Sequence, residues 1–149
     1  MNRSLLVPVL AAGVLSIVTT PAHAAAKKHL DTPGRADTLP FSHAVLAGDT
    51  LYLSGGLGLD PETGLAPEDV EKEIRLMMEG MKGKLKLAGM EMDDLVSVQV
   101  FCTDLSLYET FNAIYATYFE GKRPARAFIG AGSLLRRARF EIVGIAVRD

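Results

Sequence analysis

The chain has 149 residues, a formal net charge of −2 at pH 7 and 48% hydrophobic residues, which suits one folded domain with one core. So mild an acidic balance excludes a general electrostatic attraction for nucleic acid or anionic lipid. Cys102 is the only cysteine, so no intrachain disulfide can form, and the histidines and acids show no metal-ligand spacing.

The first predicted segment is one to be removed. Met1-Asn2-Arg3 is basic, Leu5 to Val18 is apolar but broken by Pro8 and Gly13, and Ala22-His23-Ala24 supplies small residues. These are the three parts of a secretory signal peptide, and the run is short and interrupted for a bilayer span. Residues 1–24 are expected to be cleaved after Ala24, leaving an exported protein, periplasmic or secreted, with no membrane segment. Loss of Arg3 takes the formal charge to −3. Residues 25–38 hold Lys27, Lys28, Pro33 and Gly34 without periodicity and are expected as a flexible N-terminal arm; residues 39–149 are the expected domain.

Phe41 to Ala47 and Thr50 to Gly56 read as antiparallel strands joined at Gly48-Asp49. The second ends in Ser54-Gly55-Gly56, where absent side chains leave backbone amides open to a ligand. Pro67-Glu68-Asp69 opens a helix, whose apolar stripe is Val70, Ile74, Met77, Met78, Met81, Leu85 and Ala88, stopped by Gly89. Val96 to Cys102 is a strand that places Cys102 on a buried face as an inert thiol. Ser106-Leu107-Tyr108-Glu109 has the spacing of a capping box. It starts a second helix with Leu107, Phe111, Ile114, Tyr115 and Tyr118 inward, and Asn112 at the stripe's edge.

Two strands close the chain, Arg123 to Gly130 and Arg139 to Val147. A hairpin centred near Ser133 and Leu134 sets Arg126 across from Glu141, with Cβ atoms roughly 5 Å apart. Two readings stay open: a cross-strand ion pair on a solvated face, or a site where Arg126 grips a carboxylate and Glu141 holds or deprotonates a water. The element order is β-β-α-β-α-β-β, an α+β domain with a mixed sheet and two helices on one face. The last strand is apolar on both sides, so a second copy is expected to cover the open face.

Several collinear stretches resemble the reactive intermediate deaminase (Rid, or YjgF-like) family. They are Phe41-Ser42-His43-Ala44-Val45, Leu51-Tyr52-Leu53-Ser54-Gly55, Asp60-Pro61-Glu62-Thr63-Gly64, Val100 to Leu105, Phe111-Asn112-Ala113-Ile114-Tyr115, Arg123-Pro124-Ala125-Arg126 and Phe140 to Val147. The resemblance implies a chorismate-mutase-like fold, a homotrimer with pockets between subunits, and cofactor-free hydrolysis of 2-imino or enamine acids to 2-keto acids and ammonia. It implies that Arg126 holds the substrate carboxylate, that Glu141 orders the attacking water, and that Ser54, Gly55 and Asn112 line the pocket with Phe41 and Phe128. Phe41 replaces a family tyrosine, Gly56 a glutamine, Val143 a glutamate, and Phe128 is bulkier than usual, so the pocket is more apolar. The alternative to an enzyme is a small-carboxylate-binding or stress-related interaction protein on the same fold.

Overall fold

The computed structural model describes residues 26–34 and 39–148. The expected signal segment, part of the expected arm and the last residue lie outside the described residues.

Strands β1 (Lys27–Leu30), β2 (Ala44–Ala47) and β3 (Thr50–Leu57) form an antiparallel meander. β1 corrects the reading of residues 25–38 as an arm. Its four residues carry two lysines and no alternation, yet backbone pairing to β2 needs neither, and Leu30 buries its side chain. The turn between β2 and β3 uses Gly48 at φ +61°, a left-handed conformation that glycine adopts without a Cβ penalty.

Helix α1 (Val70–Lys86) is capped by Asp69, whose carboxylate accepts from the amides of Glu71 and Lys72 at 2.9 and 3.2 Å. Its stripe buries Ile74, Met77, Met78, Met81 and Leu85, joined by two charged residues, Glu73 and Lys84. Strand β4 (Leu95–Cys102) follows. Helix α2 (Tyr108–Tyr115) starts from a short 3-10 turn at Leu105–Leu107. The expected capping box does not form. Asp104 takes the Ser106 amide at 2.9 Å and the Ser106 hydroxyl at 2.7 Å instead, because a carboxylate two residues ahead is the stronger acceptor.

Strands β5 (Ala125–Gly130) and β6 (Phe140–Val147) complete a six-stranded mixed sheet in the order β1-β2-β3-β6-β4-β5. The expected closing hairpin is absent. β5 runs parallel to β4, with Arg126 opposite Val98, and β6 lies antiparallel between β3 and β4. The physical reason is burial. β6 alternates fully buried and half-buried residues along its length, as a central strand must, whereas β5 is largely exposed and sits at the margin.

Both helices cover one face of the sheet. There the α1 stripe and Phe111 of α2 meet Leu51, Leu53, Val98, Val100, Phe140 and Ile142. The other face carries Tyr52, Val143, Ile145, Phe101 and Ile129, none of which the described residues fully bury, and Tyr52 is 50% exposed. Among the described residues, no helix is long and apolar enough to cross a membrane.

Candidate active site

Arg126 lies on the helix-covered face of β5, half-buried beneath α2. Its guanidinium carbon sits 4.6 Å from the Tyr115 ring centre, 5.6 Å from Phe111 and Phe128, and 5.9 Å from Tyr108. Ring faces stabilise a cation without neutralising it. Arg126 Nη2 donates to Asn112 Oδ1 at 2.6 Å, so Asn112, at the edge of its stripe, is the side chain that aims the guanidinium. Among the described residues no Asp or Glu forms an ion pair with it. Phe128 does not fill the space beside Arg126. It stacks edge-on against Tyr108 and Phe111, at 5.0 and 5.2 Å between centroids, and forms the wall behind the arginine. A cleft of about 370 Å³ opens in front, lined by Asn112, Tyr115, Ala116, Arg123, Pro124 and Arg126.

A second cluster forms at a bulge in β3, where the pairing with β6 slips between Leu53 and Gly56. Ser54 donates its amide and hydroxyl to the His43 carbonyl at 3.0 and 2.9 Å. The buried Lys84 ammonium reaches up from α1 and donates to Ser54 O at 2.9 Å, Ser54 Oγ at 3.1 Å and Gly55 O at 3.0 Å. It replaces partners that the bulge takes from the ladder. Glu141 approaches Gly55 from β6 so closely that a Cβ there would stand 2.1 Å from Glu141 Oε1. Burial pulls the Lys84 ammonium down to about 8, while the Glu141 carboxylate holds it up.

The start of β6 is fixed two residues before Glu141. Buried Glu73 of α1 accepts from the Arg139 amide and Nε, both at 2.6 Å, and from the Phe140 amide at 3.1 Å. Arg139 also donates to the carbonyls of Glu68 and Pro67, so every charge in this knot is matched.

The expected site residues therefore fall into two groups. Arg126, Asn112 and Phe128 meet at the β5 margin; Ser54, Gly55 and Glu141 meet at the β3 bulge. Within one chain, Arg126 and Glu141 are not cross-strand neighbours. Two strand spacings and a three-residue offset separate them, roughly 14 Å between Cα atoms, and they stand on opposite faces of the sheet. Phe41 is exposed beside His43, with rings 6.4 Å apart, on the side of the bulge. Cys102 is fully buried, donates to Asp104 O at 3.1 Å, and has its thiol pushed up by burial. The sequence reading gives Tyr115 only as a core residue, Arg123 only as part of a family stretch, and Lys84 no role; the available signal for Lys84 is a lysine seven residues after Met77 and three after Met81, inside the apolar stripe.

A mixed sheet with two helices on one face and an arginine-floored cleft at its margin defines the class, an α+β domain with a cationic cleft. The chain belongs to the family described as Endoribonuclease L-PSP, whose family model matches residues 34–148, and is a member of the Rid group within it. It is 40% identical over 110 residues to 2-iminobutanoate/2-iminopropanoate deaminase of Mus musculus, covering 73% of this chain and 82% of that one. The Rid-family protein YyfA of Yersinia pestis superposes with a TM-score of 0.75 at 33% identity, covering 83% of this chain and 100% of that chain. TdcF of E. coli with bound serine gives 0.75 at 31% identity, covering 82% and 99%.

Proposed function

We propose that this protein is a hydrolytic deaminase of 2-imino and enamine acids, releasing 2-keto acids and ammonia, with Arg126 holding the substrate carboxylate. The observation that carries the reading is the state of Arg126. It is half-buried, aimed by Asn112, backed by four aromatic rings and matched by no carboxylate among the described residues. Such a guanidinium is a preorganised grip for a planar carboxylate. The relatives named as 2-iminobutanoate/2-iminopropanoate deaminases support the reaction class, and the serine bound by TdcF supports a ligand of that size and charge.

The catalytic water belongs to Glu141. Because Glu141 lies on the open face and Arg126 on the helix-covered face, the working site takes Arg126 from one copy and Glu141 from the next. The uncovered apolar face supports such packing, and a trimer is the proposed assembly. With the imine protonated, its carbon is electrophilic. Glu141 takes a proton as the water oxygen bonds to that carbon, and the C=N electron pair moves to nitrogen. Glu141 then returns the proton to nitrogen, the C–N bond breaks with its electron pair leaving on ammonia, and the hydroxyl proton of the added oxygen passes back to Glu141 as the carbonyl forms; Glu141 then hands it to the departing ammonia, which leaves as ammonium. Orientation supplies most of the acceleration, and the Ser54–Gly55 bulge, held by Lys84, keeps Glu141 in place. No step requires a metal or organic cofactor. The segment before Ala25 is proposed as an export signal, which mass determination of the mature N-terminus checks.

The test supplies 2-imino acids in situ and follows keto-acid release. Arg126→Ala and Glu141→Gln are each expected to lose turnover, and the two inactive variants mixed and reassembled are expected to regain part of it, since some junctions then carry both native residues. Full activity in Arg126→Ala, or no recovery from a mixture shown to exchange subunits, overturns the reading.

A further inference from the structure

The cleft before Arg126 holds a second guanidinium. Arg123 lies exposed at its mouth and Arg126 half-buried on its floor, with Pro124 between them restricting the backbone. The lining contains no Asp or Glu, and neither arginine forms an ion pair among the described residues. A single carboxylate on Arg126 leaves one positive charge at the mouth unmatched.

Tyr115 adds a second, independent observation. It is 4% exposed, and its hydroxyl is a buried polar atom with no hydrogen-bond partner among the described residues, in a residue that lines this cleft. Burial pushes the phenol up to about 12 against the opposing pull of Arg126 and Arg123, so at neutral pH it is an O–H donor. Two guanidinia and a phenol supply donors only. Their natural complement is acceptor-rich and doubly anionic.

We propose that the substrate of this site is a 2-imino acid with a second carboxylate, its α-carboxylate on Arg126 and its distal carboxylate on Arg123, with the Tyr115 hydroxyl donating to the ligand between them. This rests on the imine-deaminase reading for the reaction, but the two-anion recognition stands on the cleft alone. Of the positions where this chain is more apolar than the family, Phe41 lies before β2, Gly56 on β3, Phe128 on β5 and Val143 on β6, and none of the four is among the cleft-lining residues.

The test compares dicarboxylic and monocarboxylic 2-imino acids of equal carbon number, generated in situ, by kcat/KM. In parallel it measures binding of the stable five-carbon keto acids, 2-oxoglutarate against 2-oxopentanoate, by calorimetry. Wild type is expected to favour the dicarboxylic member in both assays. Arg123→Gln is expected to lower that preference about tenfold through KM and Kd, the usual worth of one charge-assisted contact, and Arg123→Lys to restore part of it. Equal values for the two ligands in wild type, or a preference unmoved in a folded Arg123→Gln, overturns the proposal. If no imine is hydrolysed but 2-oxoglutarate still binds better and needs Arg123, the deaminase reading falls and the two-anion cleft stands.

Discussion

Replacing Lys84 by methionine removes a buried ammonium while keeping an unbranched chain of similar length. In the folded protein the amine sits at about 8 against 10.5 for the exposed group. Below pH 8 both folded and unfolded chains carry the proton. Between 8 and 10.5 only the unfolded chain does, so the cost of burying the charge fades and this residue's contribution to stability rises with pH. Linkage over pH 7 to 9.5 amounts to about 2 kcal/mol. Groups common to both proteins cancel in the difference. The stability of wild type minus that of Lys84→Met is therefore expected to grow by about 2 kcal/mol across this range, whatever constant offset the lost bonds to Ser54 and Gly55 impose. Urea titrations at fixed protein concentration read it directly, since a slope of ~1–3 kcal/mol/M converts it to a relative midpoint shift of about 1 M. If the two proteins keep the same separation at pH 7 and 9.5, Lys84 does not feel its burial and the account of the bulge is wrong.

Arg139→Ala strands the Glu73 carboxylate in the core with only backbone donors and is expected to cost about 3–5 kcal/mol in denaturant unfolding; a cost below 1 kcal/mol refutes the matched knot. Gly55→Ala puts a methyl where the Glu141 carboxylate now lies. That carboxylate is the free end of a flexible side chain, so the fold should survive, while imine turnover falls about 100-fold through misplacement of the acid. Unchanged kcat/KM in a folded variant removes Glu141 from the chemistry. Tyr115→Phe deletes a buried hydroxyl that has no partner among the described residues and is expected to raise ligand-free stability by about 1 kcal/mol; a loss of that size shows that the hydroxyl has an internal partner.

The local signals in the sequence were strong where structure is local. The α1 stripe, the β2–β3 turn and the Asn112 edge position all follow from periodicity and turn chemistry. What failed depended on distant pairing. Nothing in Arg123 to Val147 reveals that β5 pairs in parallel with β4 while β6 inserts between β3 and β4. Adjacent strands usually make hairpins, and only the sum of burial across the sheet reverses that choice. β1 was missed because Lys27-Lys28-His29 lacks alternation. Lys84 was passed over because a lysine on a helix ordinarily reaches solvent; the β3 bulge that captures it lies 30 residues earlier in the chain. Of the cleft residues, Arg126 and Asn112 are legible as a resemblance, but the location of Arg126 and Glu141 on opposite faces requires coordinates.

The short first strand has an effect beyond extending the meander. Its outward-facing residues are Lys27, Lys28 and His29, all exposed, along a margin whose unpaired backbone groups would otherwise invite another strand. A second molecule docking there would crowd like charges and strip them of water. The lysines thus discourage runaway growth of fibrils from that side.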